Sequence, residues 1–461
     1  MHQPWYREVL IKYTATFNSR QVITMKIELI SREVIKPSKP TPSYLNTHSL
    51  SFIDCVVGRN YVPLVYFYPN KYSKYDDKNQ ERITKISTLK KSLSEVLSIY
   101  YPFAGKLRDQ LSIECNDQGV LLLVTRIKSK VLDILKNPSE VLLNPLFPDD
   151  LPWKVMGSSE SIVAIQINCF ECGGIAISVC MSHKVGDGST LFNFVNDWAT
   201  LTRKPLEEGG LPFPPELDAG SSVIPQNDLP VFPERSFVKQ NTVCRRLVFE
   251  GSKMESLKAI VSSHKVENPS RVELVIAVIY KHALSSLKLS NNTPLRVAVN
   301  LRKRMVPPLP QKSIGNWVWS FPVPRENEET KLHELVTKIR EGLYEFCDKN
   351  VKNFRNLSFV SEFLKQITSL PKQNEVTHVK PITLFFFASW CNLPTYEVDF
   401  GWGKPIWVTS IGSPLKNSVV LMDARDGNGI EALVNMEEHD LAKFESDVEI
   451  RQYASVNPAM V

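Results

Sequence analysis

The chain has 461 residues, 43% hydrophobic and 23% charged, a globular balance long enough for two to three domains. Its net charge of +6 is scattered without a Lys/Arg block, which argues against a nucleic-acid or membrane-surface footprint. No apolar stretch is long enough to span a bilayer, and the N-terminus lacks the apolar core of a signal peptide.

In chain order, residues 1–24 are expected to be an N-terminal extension, disordered or optional, because Met25 opens "MKIELISREVIKPSKPTPSYL", which already reads as the start of a domain. Arg7, Lys12 and Arg20 against the single acid Glu8 leave a weak organelle transit peptide as the other reading. "YVPLVYFY" is β-rich. Leu89, Leu93, Val96, Leu97 and Tyr100 then recur at helical spacing, with Ser87 or Thr88 as start signals and Pro102 as the stop. "LSIECND", "VLLLVTRI", "SIVAIQINCF" and "GIAISVCM" read as strands, and "STLFNFVNDWATLTRK" as a helix.

Seven prolines between Pro205 and Pro233 exclude regular structure there and mark a crossover linker over 205–240. Beyond it, Ser252 with Glu255 and Ser270 with Glu273 have capping-box spacing. "PLRVAVNLR" predicts a strand. "LHELVTKIREGLYEFCDKN" predicts an amphipathic helix with Leu332, Leu335, Ile339, Leu343 and Phe346 inward, and the β-rich finish runs through "PITLFFFASW", "PIWVTSI" and "NSVVLMDA". The chain therefore divides into an extension (1–24), a first domain (25–204), the linker (205–240) and a second domain (241–461). Each domain mixes sheet and helix, giving an α/β class with α+β mixed sheets.

Eight cysteines with irregular spacing form no disulfide framework and suggest a reduced compartment. Cys169 and Cys172 have CxxC spacing but no second pair to complete a zinc site, so packing within a strand explains them better. G-x-S-x-G, P-loop and Rossmann fingerprints are all missing.

"MSHKVGDGST", residues 181–190, holds the most suggestive histidine. His183 and Asp187 are four apart, yet Gly186 and Gly188 disfavour a helix, so a tight loop between strand end and helix start is expected. A lone histidine at a strand end is more often a satisfied core residue. Three further clusters change that weighting by their order and spacing: "YYPFAGKL" (100–107), "NLRKRMVPPLP...GN" (300–316) and "SWCNLPTYEVDFGWGKP" (389–405).

From about Met25 to the C-terminus the sequence resembles the BAHD acyltransferases, plant enzymes that move an acyl group from coenzyme A to an alcohol or amine. The resemblance rests on His183 to Asp187 as HxxxD and Asp399 to Gly403 as DFGWG, with "YPFAGKL", "CGG" at 172–174 and "NLR" at 300–302 in the expected order. It implies two chloramphenicol-acetyltransferase-like domains with a channel between them, and acetyl-CoA or another acyl-CoA as co-substrate with no permanently bound cofactor or metal. His183 would be the general base, suited by an intrinsic pKa of about 6.5. The Trp390 indole N–H would steady the oxyanion. Family members often carry threonine where this chain has Ala388.

A catalytic dyad with Asp187 is set aside, because in the family that aspartate turns toward an arginine and holds the loop. Asp399, Gly401 and Trp402 of the DFGWG loop would shape the channel, with Arg302 as the salt-bridge partner. Ser389, Ser270 and Arg425 are candidate coenzyme A or acyl contacts. Arg425 would suit a malonyl group, although an exposed turn arginine explains it better. The branch resembled acylates alkaloid and terpenoid alcohols, so a small-molecule alcohol is the expected acceptor for a monomeric, cytoplasmic enzyme with no nucleic-acid or membrane partner. Malonyl transfer, N-acylation, hydrolysis by a His183-activated water and a non-catalytic binding protein on the same fold are the alternatives.

Overall fold

The structure is a computed structural model that describes residues 11–17, 21–70, 78–148, 151, 160–220, 241–289, 293–324, 331–354, 384–413 and 415–460. Two seven-stranded mixed sheets organise it. In chain order the first half supplies β1 (Ile11–Phe17), β2 (Gln21–Ile35), β3 (Thr47–Ser49), β4 (Tyr61–Tyr68), β5 (Lys106–Leu107), β6 (Ser112–Glu114), β7 (Val120–Ile127), β8 (Val163–Phe170) and β9 (Ile175–Ser182). The second half supplies β10 (Thr242–Phe249), β11 (Leu295–Asn300), β12 (Val318–Val323), β13 (Phe385–Ser389), β14 (Trp407–Thr409), β15 (Ser418–Asp423), β16 (Ile430–Glu437) and β17 (Ser455–Val456).

The first sheet runs β1-β2-β7-β8-β9-β4-β14 and the second β12-β11-β13-β15-β16-β10-β17, while β3, β6 and β5 form a small third sheet. The helices are α1 (Phe52–Val56), α2 (Lys78–Ile99), α3 (Val131–Lys136), α4 (Glu140–Leu143), α5 (Gly188–Arg203), α6 (Gly251–Ser262), α7 (Arg271–Ser286), α8 (Leu332–Lys349), α9 (Glu438–Ser446) and α10 (Val448–Tyr453). No described helix is long and apolar enough to cross a membrane.

Every residue of β4, β8 and β9 is buried, as a strand covered on both faces requires. The helical stripe Leu89, Leu93, Val96, Leu97 and Tyr100 is fully buried. The helix nevertheless begins at Lys78 and not near Ser87, because Thr84 and Thr88 lie inside it and their hydroxyls donate back to Gln80 O and Thr84 O, 2.9 Å each. Two of these buried surfaces meet where α2 packs on α5: the Trp198 indole donates to Leu89 O (3.2 Å) and to Ser92 Oγ (3.1 Å).

Three expectations change. Residues 11–17 and 21–24 are strand: β1 pairs antiparallel with β2 from Ile11↔Ile27 to Phe17↔Gln21, extending the edge of the first sheet. Ser252 does not cap α6, whose N-cap is Glu250 without a side-chain bond, whereas Ser270 and Glu273 do close their capping box through Glu273 Oε2 (2.7 Å) and Ser270 Oγ (3.2 Å). Finally, "PIWVTSI" leaves its own half: β14 pairs with β4 of the first sheet, Trp407 opposite Phe67 with their rings stacked at 5.3 Å. Arg246 of the second sheet lies over that indole with its Cζ 5.4 Å from the ring centre, and Glu431 accepts from its Nε1 (3.3 Å), so Trp407 stitches the two sheets together. The linker is described as far as residue 220, and 221–240 lie outside the described residues.

Candidate active site

The chain leaves β9 at Ser182, turns through His183 to Gly186 and enters α5 at Gly188. Asp187 is the N-cap, its Oδ1 accepting from Thr190 N at 3.0 Å. Its remaining capacity goes elsewhere. Arg302 donates from Nη1 to Oδ2 (2.7 Å) and from Nη2 to Oδ1 (3.0 Å), and Trp317 N donates to Oδ2 (3.0 Å).

Arg302 and Asp187 are 1% and 2% exposed, so this two-pronged pair is fully withdrawn from water. Arg302 completes its bonding on Ser313 O, Gly315 O and Thr190 Oγ1. Burial alone would raise the Asp187 carboxyl, but the Arg302 charge and the bonds from Arg302, Thr190 and Trp317 outweigh it and hold the group below its ordinary value. Asp187 is thus saturated by structural bonds. The salt bridge expected of Arg302 is made to Asp187, and Asp399 has no part in it.

His183 is held by its backbone. Its N–H donates to Asn60 O (2.7 Å) and its carbonyl accepts from Asn316 Nδ2 (2.7 Å). Asn316 is in turn fixed by Asp54, whose Oδ1 accepts from both the backbone N (2.7 Å) and Nδ2 (2.8 Å) of Asn316. Lys184 Nζ donates to Cys55 O (2.7 Å), pinning the loop to α1. The His183 Nδ1 is shut off from solvent and bonds to nothing among the described residues, which leaves Nε2 as the nitrogen able to meet a substrate.

The two glycines have separate reasons. A Cβ on Gly186 would lie 2.5 Å from Thr190 Cγ2, and one on Gly188 would lie 2.6 Å from Trp390 Nε1. The Trp390 ring therefore rests on the first residue of α5, five residues after His183, and meets Phe192 edge-on at 5.7 Å. Its backbone N–H donates to Leu421 O (2.7 Å), which carries the β13 to β15 pairing one residue past β13. Asn300 reaches the same helix end, donating from Nδ2 to Ser189 Oγ (2.9 Å).

The DFGWG loop is elsewhere. Phe400 packs edge-on against Trp198 at 4.9 Å, and a Cβ on Gly401 would face Arg203. These belong to the far part of α5, a helix of 16 residues and so about 24 Å long. Asp399 Oδ1 accepts from Gly401 N (2.8 Å) and Gly403 N (2.9 Å), and Trp402 stacks on Phe400 under Lys85. Asp399, Gly401 and Trp402 thus clasp the C-terminal end of α5 and do not stand beside His183.

Ser389 ends β13 next to Trp390 and accepts from Cys391 N (3.2 Å). Ser270 is occupied by the α7 cap, and Arg425 is exposed in the turn after β15. Arg271 joins those two regions through Gly427 O and Asp423, and Asp423 also accepts from Asn392 N (2.6 Å). Among the described residues no His/Cys/Asp/Glu group could hold a metal ion. Asp54 and Trp317 were not singled out from the sequence, and Ser313 and Asn316 stood only inside the 300–316 cluster; nothing local marks an aspartate 262 residues from its partner.

The sequence profile described as the Transferase family matches residues 25–451. Over 432 residues the chain is 37% identical to stemmadenine O-acetyltransferase of Catharanthus roseus, covering 92% of this chain and 97% of that protein. It is 36% identical over 447 residues to 17,18-epoxy-17-hydroxycur-19-ene N-malonyltransferase of Strychnos nux-vomica, covering 95% and 93% respectively. The crystal structure of vinorine synthase matches 94% of this chain and 100% of its own with a TM-score of 0.79 and 29% identity. The mixed two-sheet architecture and these full-length likenesses agree, and the chain belongs to the BAHD family of acyl-CoA-dependent acyltransferases.

Proposed function

We propose that this enzyme transfers acetyl from acetyl-CoA to a hydroxyl of a plant alkaloid or terpenoid alcohol, with His183 as general base and Trp390 as oxyanion donor. The observation that supports the residue assignment is that Trp390 Nε1 lies against Gly188, the first residue of α5, five residues beyond His183. The likeness to the O-acetyltransferase of Catharanthus favours O-acetylation, and that to the N-malonyltransferase of Strychnos makes N-malonylation the second reading. The eight cysteines, free in the structure, are in keeping with a cytoplasmic enzyme, and we take it to act as a monomer.

An alcohol is a weak nucleophile at neutral pH, whereas a thioester is already an activated donor, so a base suffices and no acyl-enzyme is needed. His183 Nε2 takes the hydroxyl proton as the oxygen bonds to the thioester carbon. The carbonyl electrons move onto oxygen, where the Trp390 indole N–H stabilises them. Collapse re-forms the carbonyl, breaks the C–S bond and releases coenzyme A thiolate, which takes the proton back from the imidazolium. Such base catalysis contributes about 10²- to 10⁴-fold.

The test is thiol release from acetyl-CoA with alkaloid and terpenoid alcohols, followed by mass spectrometry of the product. Acceptor-dependent thiol and acetylated product, both lost in His183→Ala, are expected. Thiol released without an acceptor would replace transfer by hydrolysis, and coenzyme A binding without turnover of any acyl donor would leave a binding protein.

A further inference from the structure

Four buried or half-buried arginines of the second half have carboxylate partners. Arg246 pairs with Glu431 (3.2 Å), Arg271 with Asp423 (2.8 Å), Arg302 with Asp187 (2.7 Å) and Arg340 with Glu273 (2.9 Å). Arg296 on β11 is half-buried and has none among the described residues. It donates from Nε to Ser320 Oγ (3.0 Å) and from Nη2 to Ser320 O (2.9 Å), which fixes the guanidinium plane and leaves Nη1 without a partner among the described residues. Desolvation draws its pKa below the usual arginine value. A guanidinium stays protonated regardless, so Arg296 offers a fixed positive charge to any anion that reaches this face.

Strand alternation says where that anion would lie. In β11, Leu295, Val297 and Val299 are buried while Arg296, Ala298 and Asn300 are half-exposed on the other face. Arg296 is in register with Phe386 of β13, whose half-exposed face continues through Ala388 toward Trp390. Asn300 and Trp390 both touch the first turns of α5, so this face looks at the His183 loop. Ser320 lies opposite Ala298, which draws the guanidinium toward the Asn300 end of the strand. Two strand spacings and two residues separate that point from Trp390, about 12 Å.

We infer that Arg296 binds an oxyanion of a substrate, a carboxylate on the acceptor or a phosphate of coenzyme A, on the sheet face shared by Asn300 and Trp390. The assignment rests on the acyltransferase reading above. The experiment uses full-length Arg296→Gln and Arg296→Lys in two arms. Calorimetric titration with coenzyme A, dephosphocoenzyme A and pantetheine needs no acceptor. Steady-state kinetics then compare acceptor alcohols bearing a free carboxylate with their methyl esters at saturating acetyl-CoA.

For a phosphate ligand, Arg296→Gln weakens coenzyme A about tenfold and leaves pantetheine unchanged. For a carboxylate ligand, it raises KM about tenfold for the free acid and leaves the ester unchanged. Arg296→Lys falls between, and it serves if the glutamine variant does not fold. Affinity and KM all within about twofold of wild type in an active, folded variant would overturn the inference. Coenzyme A binding by a wild-type enzyme that acylates nothing would instead overturn the functional reading and leave the titration arm standing.

Discussion

At the N-terminal end of α5, Asp187 is buried and holds Arg302, Thr190 and Trp317, groups between 3 and 130 residues away. At the other end Asp399 is half-exposed and accepts from Gly401 and Gly403 of its own loop. Both loops are an aspartate among glycines, and they do different work. The first is a junction in which segments from both halves of the chain fix one histidine. The second is a self-contained turn whose Phe400 and Trp402 cover the helix end.

The sharpest way to break this comparison is to remove each carboxylate. Asp187→Ala leaves Arg302 buried without its counter-charge, and the expected loss is about 3–5 kcal/mol of unfolding free energy. Asp399→Ala gives up two hydrogen bonds at a partly solvated turn, about 1–2 kcal/mol. Urea unfolding followed by tryptophan fluorescence measures both. Equal losses would mean that the two loops are equivalent, against the burial and bonding described here.

The glycines separate the loops by activity. Gly188 begins a helix, where alanine is the better helix former, but the position is buried against the Trp390 ring, so Gly188→Ala is expected to cost about 1–3 kcal/mol in stability. Its methyl would lie 2.6 Å from the indole nitrogen, so the ring must move. A displaced oxyanion donor lowers kcat by about 10²-fold with little change in KM. Gly401 has φ +105°, which alanine adopts poorly; Gly401→Ala costs about 1–2 kcal/mol in stability and leaves kcat unchanged. If Gly188→Ala keeps full kcat, Trp390 is not the oxyanion donor.

Much of this was legible before any coordinates. Alternation and composition marked β4, β7, β8, β9 and β11, because buried strands need the apolar runs that carry the signal. The turn at His183 was readable from Gly186 and Gly188, whose neighbours Thr190 and Trp390 tolerate no side chain there. What could not be read was partnership. Asp54 sits in an ordinary short helix, and nothing in "SFIDCVVG" says that its carboxylate orients Asn316 beneath the His183 carbonyl. Likewise Trp407 reads as one strand residue among others, since its pairing with Phe67 depends on a register between segments 340 residues apart. Local pattern fixes elements; long-range bonds between single polar groups leave no periodic trace.

The smallest effect concerns acid. Asp187 is held below its ordinary pKa by Arg302 and two backbone N–H groups against the opposing pull of burial. A carboxyl depressed in the folded state adds stability that is fully present above its unfolded pKa, about 3.9, and is lost as pH falls through the lower folded value. The melting temperature of wild type minus that of Asp187→Asn should therefore be constant from neutral pH down to about pH 5 and shrink only below about pH 4. His183 is joined to this carboxylate through backbone and Asn316 and not through a direct bond, so Asp187 acts on the histidine only through the shape of the loop. A difference already shrinking at pH 6 would mean that Arg302 does not hold the carboxyl low, and the buried pair would then not be what fixes the first loop.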